Sequence, residues 1–313
     1  MSKKKRILIC ALCAAVIFGG LSLLFLRKGG GELEKPVDIS VYLPAEFPAD
    51  FPVEQINPNG YMHFSVDDSN SIFEDLTKNR WRYKSIFDQP LLGFMKQLHD
   101  RYGIVVSFYA FYSWYLEDDY FKLSEATDRF AQEFSANADW LRFGFHAIDA
   151  AAYENLDPDT LRLYYDKTVQ ELIRITGSED CIDTFLRLDR YTADETCVAT
   201  LRDAGMTGLL MPVLGDGRTA CYDLTEEEYA LAQQQDWYES SAGTPYTPTD
   251  ICLEWLKSDE EFFDAAIQMI PEAQMVVFTH EWVLEDANVQ KYMTWLAELA
   301  YEHQIPFRFP EDQ

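Results

Sequence analysis

The chain has 313 residues, 48% of them hydrophobic and 15% aromatic, enough apolar side chain to bury a core as one large domain or two small ones, which excludes a disordered polymer. Acidic residues outnumber basic ones 53 to 26, and because residues 1–28 hold six Lys and Arg and no acid, the remainder carries 20 against 53, a formal charge of −33. So acidic a body does not gather nucleic acid or anionic polymer through its field, and no nucleic-acid partner is expected.

Residues 1–28 read as a basic stub and an anchor. Lys3, Lys4, Lys5 and Arg6 precede an apolar run over 7–26, the length a helix needs to cross a bilayer, and Arg27 and Lys28 follow it. The heavier basic flank is N-terminal, so the positive-inside rule puts that end in the cytoplasm and the bulk outside. The pattern predicts one transmembrane helix, a single-pass cell-membrane protein and an extracytoplasmic body. A cleaved signal peptide, giving a secreted protein, is the alternative, but the run is longer than a usual signal h-region and no convincing small-x-small cleavage site precedes residue 30.

Residues 29–59 read as a tether with three glycines and an N-terminal extension whose Pro-rich, aromatic part, 42–52, is expected to lie against the outside of the domain. From Gly60 onwards apolar runs alternate with amphipathic helical segments. The runs fall at 61–66, 104–109, 141–145, 182–188, 208–213, 251–253, 275–279 and 305–309. Between them, Asp157-Pro158 opens a helix that Gly177 stops, Gly103 closes one beginning near Ser85, and Gly205 closes one beginning at Thr192. Thr192 with Glu195, Thr225 with Glu228 and Ser258 with Glu261 have capping-box spacing.

Strand-like runs alternating with helices predict a β/α barrel of seven to eight strands over residues 60–313, a distorted TIM-like form with its chemistry at the C-terminal strand ends. An insertion at about 214–249 interrupts the alternation. It opens with the hairpin signal Gly215-Asp216-Gly217 and carries Trp237, Tyr238 and Tyr246, which either stack on sugar rings or fill local core. Cys181, Cys197, Cys221 and Cys252 allow two disulfides, but their irregular spacing and the apolar runs beside them favour buried free thiols; among these four no C-x-x-C motif suggests a zinc cluster.

The first barrel run ends on Asp67-Asp68. Adjacent carboxylates at the end of a buried strand need a turn to cap, a cation to pair or a metal to bind. Two later runs also end in polar groups, at Phe145-His146 and at Thr279-His280-Glu281-Trp282, and the three ends make a constellation. Glu74-Asp75 read as dipole partners at a helix start. His99 and His303 fall on outer helices and His63 at the start of a strand, so all three read as structural.

The stretches Phe64-Ser65-Val66-Asp67-Asp68, Phe143-Gly144-Phe145-His146-Ala147 and Phe278-Thr279-His280-Glu281-Trp282 resemble the motifs of the NodB-homology polysaccharide deacetylases of the glycoside hydrolase/deacetylase β/α-barrel superfamily. The resemblance covers roughly 61–309. It implies a hydrolase of carbon-nitrogen bonds that removes N-acetyl or related acyl groups from a glycan, with Asp67 as general base, His280 as general acid and Arg187 orienting the base. It further implies a divalent metal, usually Zn2+, on Asp68 and His146. The family's second histidine falls on Ala150, leaving Asp149 as the replacement ligand nearby. Arg187-Leu188-Asp189-Arg190-Tyr191 stands where the family has Arg-x-Pro-x-Gly, and Asp189 and Arg190 are read as pairing with each other. These departures keep two alternatives open: a non-catalytic glycan- or partner-binding barrel with a degenerate site, and a metal-free carbohydrate hydrolase of the same superfamily.

Overall fold

Parallel strands close a ring in the computed structural model, which describes residues 33–116, 119–149, 157–213 and 215–312. β1 (Tyr61–Asp67) pairs with β2 (Val106–Phe111), and β2 with β3 (Leu141–Ala147). Phe143 of β3 then bridges Ile182, whose chain leads into β4 (Phe185–Leu186). β4 pairs with β5 (Gly208–Val213), and β5 with β6 (Pro245–Thr249). After Asp250 the chain continues as β7 (Ile251–Cys252), which pairs with β8 (Gln274–His280), and β8 pairs with β1 to complete the circuit. With β6 and β7 taken as one stave, the described residues form a seven-stave β/α barrel.

The eighth apolar run does not become a stave. It contributes one parallel bridge, Phe307 to Met62, with Arg308 N donating to Met62 O and Met62 N to Pro306 O. β1 is buried at every position, the pattern of a parallel strand filled on one face and covered by helices on the other. The sixth stave begins earlier than its apolar signal at 251–253. Thr-Pro-Tyr-Thr-Pro-Thr reads as turn chemistry, but Thr247 and Thr249 are fully buried and bond to Gln274 and to Met211 O, so polar β-branched residues serve as inner faces of a strand.

The principal helices are α1 (Ser71–Lys78), α2 (Pro90–Tyr102), α3 (Pro158–Thr176), α4 (Glu195–Asp203), α5 (Asp259–Met269) and α6 (Ala287–Glu302). Asp157 caps α3, Gly177 ends it in the left-handed region, and Ser258 caps α5. Thr225 and Glu228 complete a capping box on the short helix Glu226–Ala232. The expected cap at Thr192 is instead Asp194, two residues later, whose carboxylate accepts from Cys197 N. Within the N-terminal extension, Tyr42 bonds to Gln290 and receives Trp295 Nε1 on its carbonyl, and Phe47 packs on Phe262, Phe263 and Trp295, so this stretch lies against α5 and α6.

Cys181, Cys197, Cys221 and Cys252 are buried free thiols. Tyr246 is fully buried and Trp237 packs on the core ring of Phe185, so of the aromatics of the insertion these two fill local core. The apolar run 7–26 lies outside the described residues, among which no helix is long and apolar enough to cross a membrane.

Candidate active site

Asp67, at the end of β1, stands opposite His280, at the end of β8, in the register of two adjacent parallel strands. Arg187 follows β4 directly and is fully buried. Its Nη1 donates to Ser65 Oγ at 2.9 Å and reaches Asp67 Oδ1 at 3.4 Å, while Nη2 donates to Thr249 Oγ1 at 3.0 Å. The guanidinium lies over the Phe278 ring, 4.2 Å from its centroid. One side chain thus ties together β1, β6 and β8 and supplies the buried countercharge that Asp67 requires.

The turn after Asp67 is built to hold Asp68 in an unusual conformation. Asp68 has φ 60°, in the left-handed region that a residue with a β-carbon occupies only where its surroundings insist. They do so through Ser69, whose N–H donates to Tyr109 O, and through Asn70, which both donates to and accepts from the backbone of Phe111. From the other side Glu281 accepts from Ser71 N at 2.8 Å and Ile72 N at 2.6 Å, capping α1 and fixing the tip of β8 to the tip of β1. The Asp68 carboxylate accepts from Trp282 Nε1 at 3.1 Å. Burial opposes its charge, but His146, His280 and the Trp282 indole outweigh that cost and hold the carboxyl below its usual range.

His146 comes from β3 and is buried. Its Nδ1–H donates to Arg187 O at 2.6 Å, leaving Nε2 3.4 Å from Asp68 Oδ1 and 4.0 Å from Asp189 Oδ1. Burial lowers and the three carboxylates of Asp68, Asp67 and Asp189 raise the imidazole pKa, with a net rise. Asp149 sits half-buried at the bend after β3, where its charge is felt by Tyr115 of the hairpin formed by Ser113–Leu116 and Asp119–Lys122. Ala150 lies outside the described residues. The structure therefore brings Asp67, Asp68, His146, Arg187 and His280 to one opening of the barrel, and the further carboxylate at His146 Nε2 is that of Asp189.

His280 is oriented by a residue that sequence reasoning passed over. Its Nδ1–H donates to Glu254 Oε1, and Glu254 Oε2 accepts from Thr279 Oγ1 at 2.7 Å. Burial works against the imidazolium, but the bond to Glu254 and the charges of Glu254, Asp68 and Asp67 lift its pKa to about 9. Glu254 is correspondingly held below the ordinary carboxylate range, His280 offsetting burial. The available signal was its place: Glu254 follows the 251–253 run as Asp67 follows the 61–66 run.

Two donors at this opening suit a divalent cation. A backbone bond to one ring nitrogen fixes the ligating tautomer of a histidine, and 3.4 Å is close to the edge of about 3.4 Å between ligands of a tetrahedral site with bonds near 2.1 Å. Among the described residues no three His, Cys, Asp or Glu side chains stand in a finished metal-ligating arrangement. His63, by contrast, is a core histidine at the other end of β1, bonded to Arg308 O, with burial lowering its pKa to about 3. His99 stacks on Trp140, 4.4 Å between ring centroids, and Asp75 receives the Tyr83 hydroxyl; both are structural.

No family model matches the chain, and no curated protein does. Solved structures similar to it include polysaccharide deacetylases and related proteins. A probable polysaccharide deacetylase from Pseudomonas aeruginosa aligns at 11% identity over 88% of this chain and 95% of that one, with a TM-score of 0.46. A family 4 carbohydrate esterase from Streptomyces lividans, in complex with acetate, aligns at 10% identity over 80% and 93%, TM-score 0.43. A CE4-family pseudoenzyme from Bacillus anthracis aligns at 13% identity over 78% of this chain, TM-score 0.42, and this chain spans 63% of that protein's length. At these identities and scores nothing about the site is taken from them.

Proposed function

We propose that this chain is a hydrolase that removes an N-acetyl or related acyl group from a glycan at the C-terminal opening of its barrel. The observation that carries the reading is the pairing across adjacent strands of Asp67, bonded to Arg187, with His280, bonded to Glu254. One is a carboxylate able to take a proton from attacking water. The other is an imidazolium that keeps its proton to about pH 9 and can hand it to a departing amine. A divalent cation held by Asp68 and His146 would supply Lewis acidity at the acyl carbonyl and a nucleophile at neutral pH. Trp282 and Arg187 O orient those two side chains.

Acetate release from N-acetylated oligosaccharides and from acetylated xylan, with the protein supplied in turn with Zn2+, Mn2+, Ni2+ and Co2+, tests the reading. Turnover that Asp67→Asn abolishes is expected. No release with any substrate and ion pair removes the hydrolase reading. A second reading, a glycan-binding barrel without turnover, is favoured by the unfinished ligand set around His146; it predicts saturable oligosaccharide binding that Asp67→Asn leaves in place.

The body is further proposed to lie outside the cytoplasm, tethered through residues 7–26, on the basic asymmetry around that run. Protease treatment of intact cells should remove it. Digestion only after lysis overturns the orientation.

A further inference from the structure

The carboxylate of Asp189 is placed without the partners that buried acids ordinarily have. Its Oδ2 is sealed from solvent with no hydrogen-bond partner, and no described residue donates a hydrogen bond to either oxygen. The nearest cation is the Arg190 guanidinium on the exposed rim, Nε 3.6 Å from Oδ2, beyond hydrogen-bonding distance. An acid left in that state needs an explanation, because a buried polar group without a partner costs free energy. Its other oxygen supplies one: Oδ1 faces His146 Nε2, the atom that also faces Asp68 Oδ1.

We propose that Asp189 completes a divalent transition-metal site with Asp68 and His146, in the place that sequence reasoning gave to Asp149. The three side chains come from the ends of three different staves, β1, β3 and β4, so a cation held by them would join staves three steps apart in the seven-stave ring. The separation of 4.0 Å from Asp189 Oδ1 to His146 Nε2 exceeds a tetrahedral ligand edge by about half an ångström, which a carboxylate covers by turning about its own side-chain torsions. The ligand set is one imidazole and two carboxylates, a set that would leave coordination for water. The assignment rests on the hydrolase reading for the cation's purpose, although its evidence is the state of Asp189 itself.

Titration of the full-length, chelator-stripped protein with Co2+ alone, read by visible absorption and by competition with a chelating dye, tests it. The wild type is expected to take one Co2+. Asp189→Asn should weaken that binding at least tenfold, and Asp149→Asn should change it less than twofold. The metal-free Asp189→Asn protein should melt close to the metal-free wild type, because the change removes like-charge repulsion along with a rim-exposed ion pair to Arg190, and no hydrogen bond; this separates loss of a ligand from loss of the fold. Weakened binding in Asp149→Asn with none in Asp189→Asn overturns the assignment, as does a wild type that binds no Co2+. A wild type that binds Co2+ through Asp189 yet releases no acetate leaves the assignment standing and removes only the hydrolase reading. Turnover with Co2+ affinity unchanged in Asp189→Asn does the reverse.

Discussion

Glu254 holds His280 from the neighbouring stave: its Oε1 accepts the Nδ1 proton while its Oε2 accepts from Thr279, the residue before His280 in β8. The arrangement fixes the ring's orientation and stabilises its charge, so Glu254 acts on the proposed chemistry through His280. Replacing Glu254 with Gln keeps a hydrogen-bonding group of the same size and removes the charge. The pKa of His280 is then expected to fall from about 9 towards 6.5, moving the alkaline limb of the rate profile down by more than one pH unit. Acetate release measured between pH 6 and pH 10 checks this. A Gln variant with the wild-type limb means that His280 is not the acid.

The same pair sets a stability dependence whose sign is fixed. A folded-state pKa raised to about 9, above the ordinary 6.5 of histidine, means that the native state binds the proton more tightly than the unfolded state. The stabilisation is present in full below about pH 6.5 and is lost as pH rises through about 9. Thermal melting of wild type should therefore decline across that window, and in His280→Asn this contribution to the decline should be missing. Equal pH dependence in the two proteins would count against the ion pair.

Arg187 joins staves, so charge alone does not replace it. Lysine preserves the cation but presents a single ammonium where two amino groups now reach Ser65 and Asp67 on one side and Thr249 on the other. Arg187→Lys should fold with a modest loss of stability and lose most turnover through misorientation of Asp67. Arg187→Ala leaves the Asp67 carboxylate buried and unpaired, a change worth about 3 to 5 kcal/mol. Urea unfolding beside acetate release distinguishes the two variants; equal stability of both would show that Asp67 does not depend on Arg187.

Much of this site is visible in the sequence because each strand end is short, apolar and terminated by a polar residue: Asp67, His146 and His280 all stand where an apolar run stops. Glu254 is less visible because most of its stave lies in Thr-Pro-Tyr-Thr-Pro-Thr, where inward threonines serve a partly polar barrel interior, and the three-residue run 251–253 that it follows is a weak strand signal by itself. Asp189 and Arg190 lie within ion-pair distance, as their adjacency suggests, Nε 3.6 Å from Oδ2; what adjacency does not show is that the other oxygen faces His146. Arg190 and Tyr191 both adopt positive φ, and the backbone turn directs the Asp189 carboxylate towards His146 from the stave alongside. That reversal depends on tertiary contacts such as Tyr222 N donating to Tyr191 O, which no local pattern encodes.

The closest packing beneath the site predicts how far it tolerates change. A β-carbon added at Gly208 would meet Cε2 of the Phe185 ring at 2.1 Å, and Cδ2 and Cζ at 2.6 Å. Phe185 cannot yield easily: its ring is buried against Trp237, and its backbone pairs with Gly208 in the β4–β5 ladder. Gly208→Ala should therefore cost about 2 kcal/mol through overpacking, lowering the melting temperature by about 4 °C. Phe185 lies two residues before Arg187 on the same stave, so a displaced ring carries strain towards the guanidinium that holds Asp67. Turnover should fall in Gly208→Ala by more than the loss of folded protein explains, and the double variant Gly208→Ala with Phe185→Leu should recover part of both losses. Activity per folded molecule equal to wild type would mean that the stave absorbs the strain before it reaches Arg187.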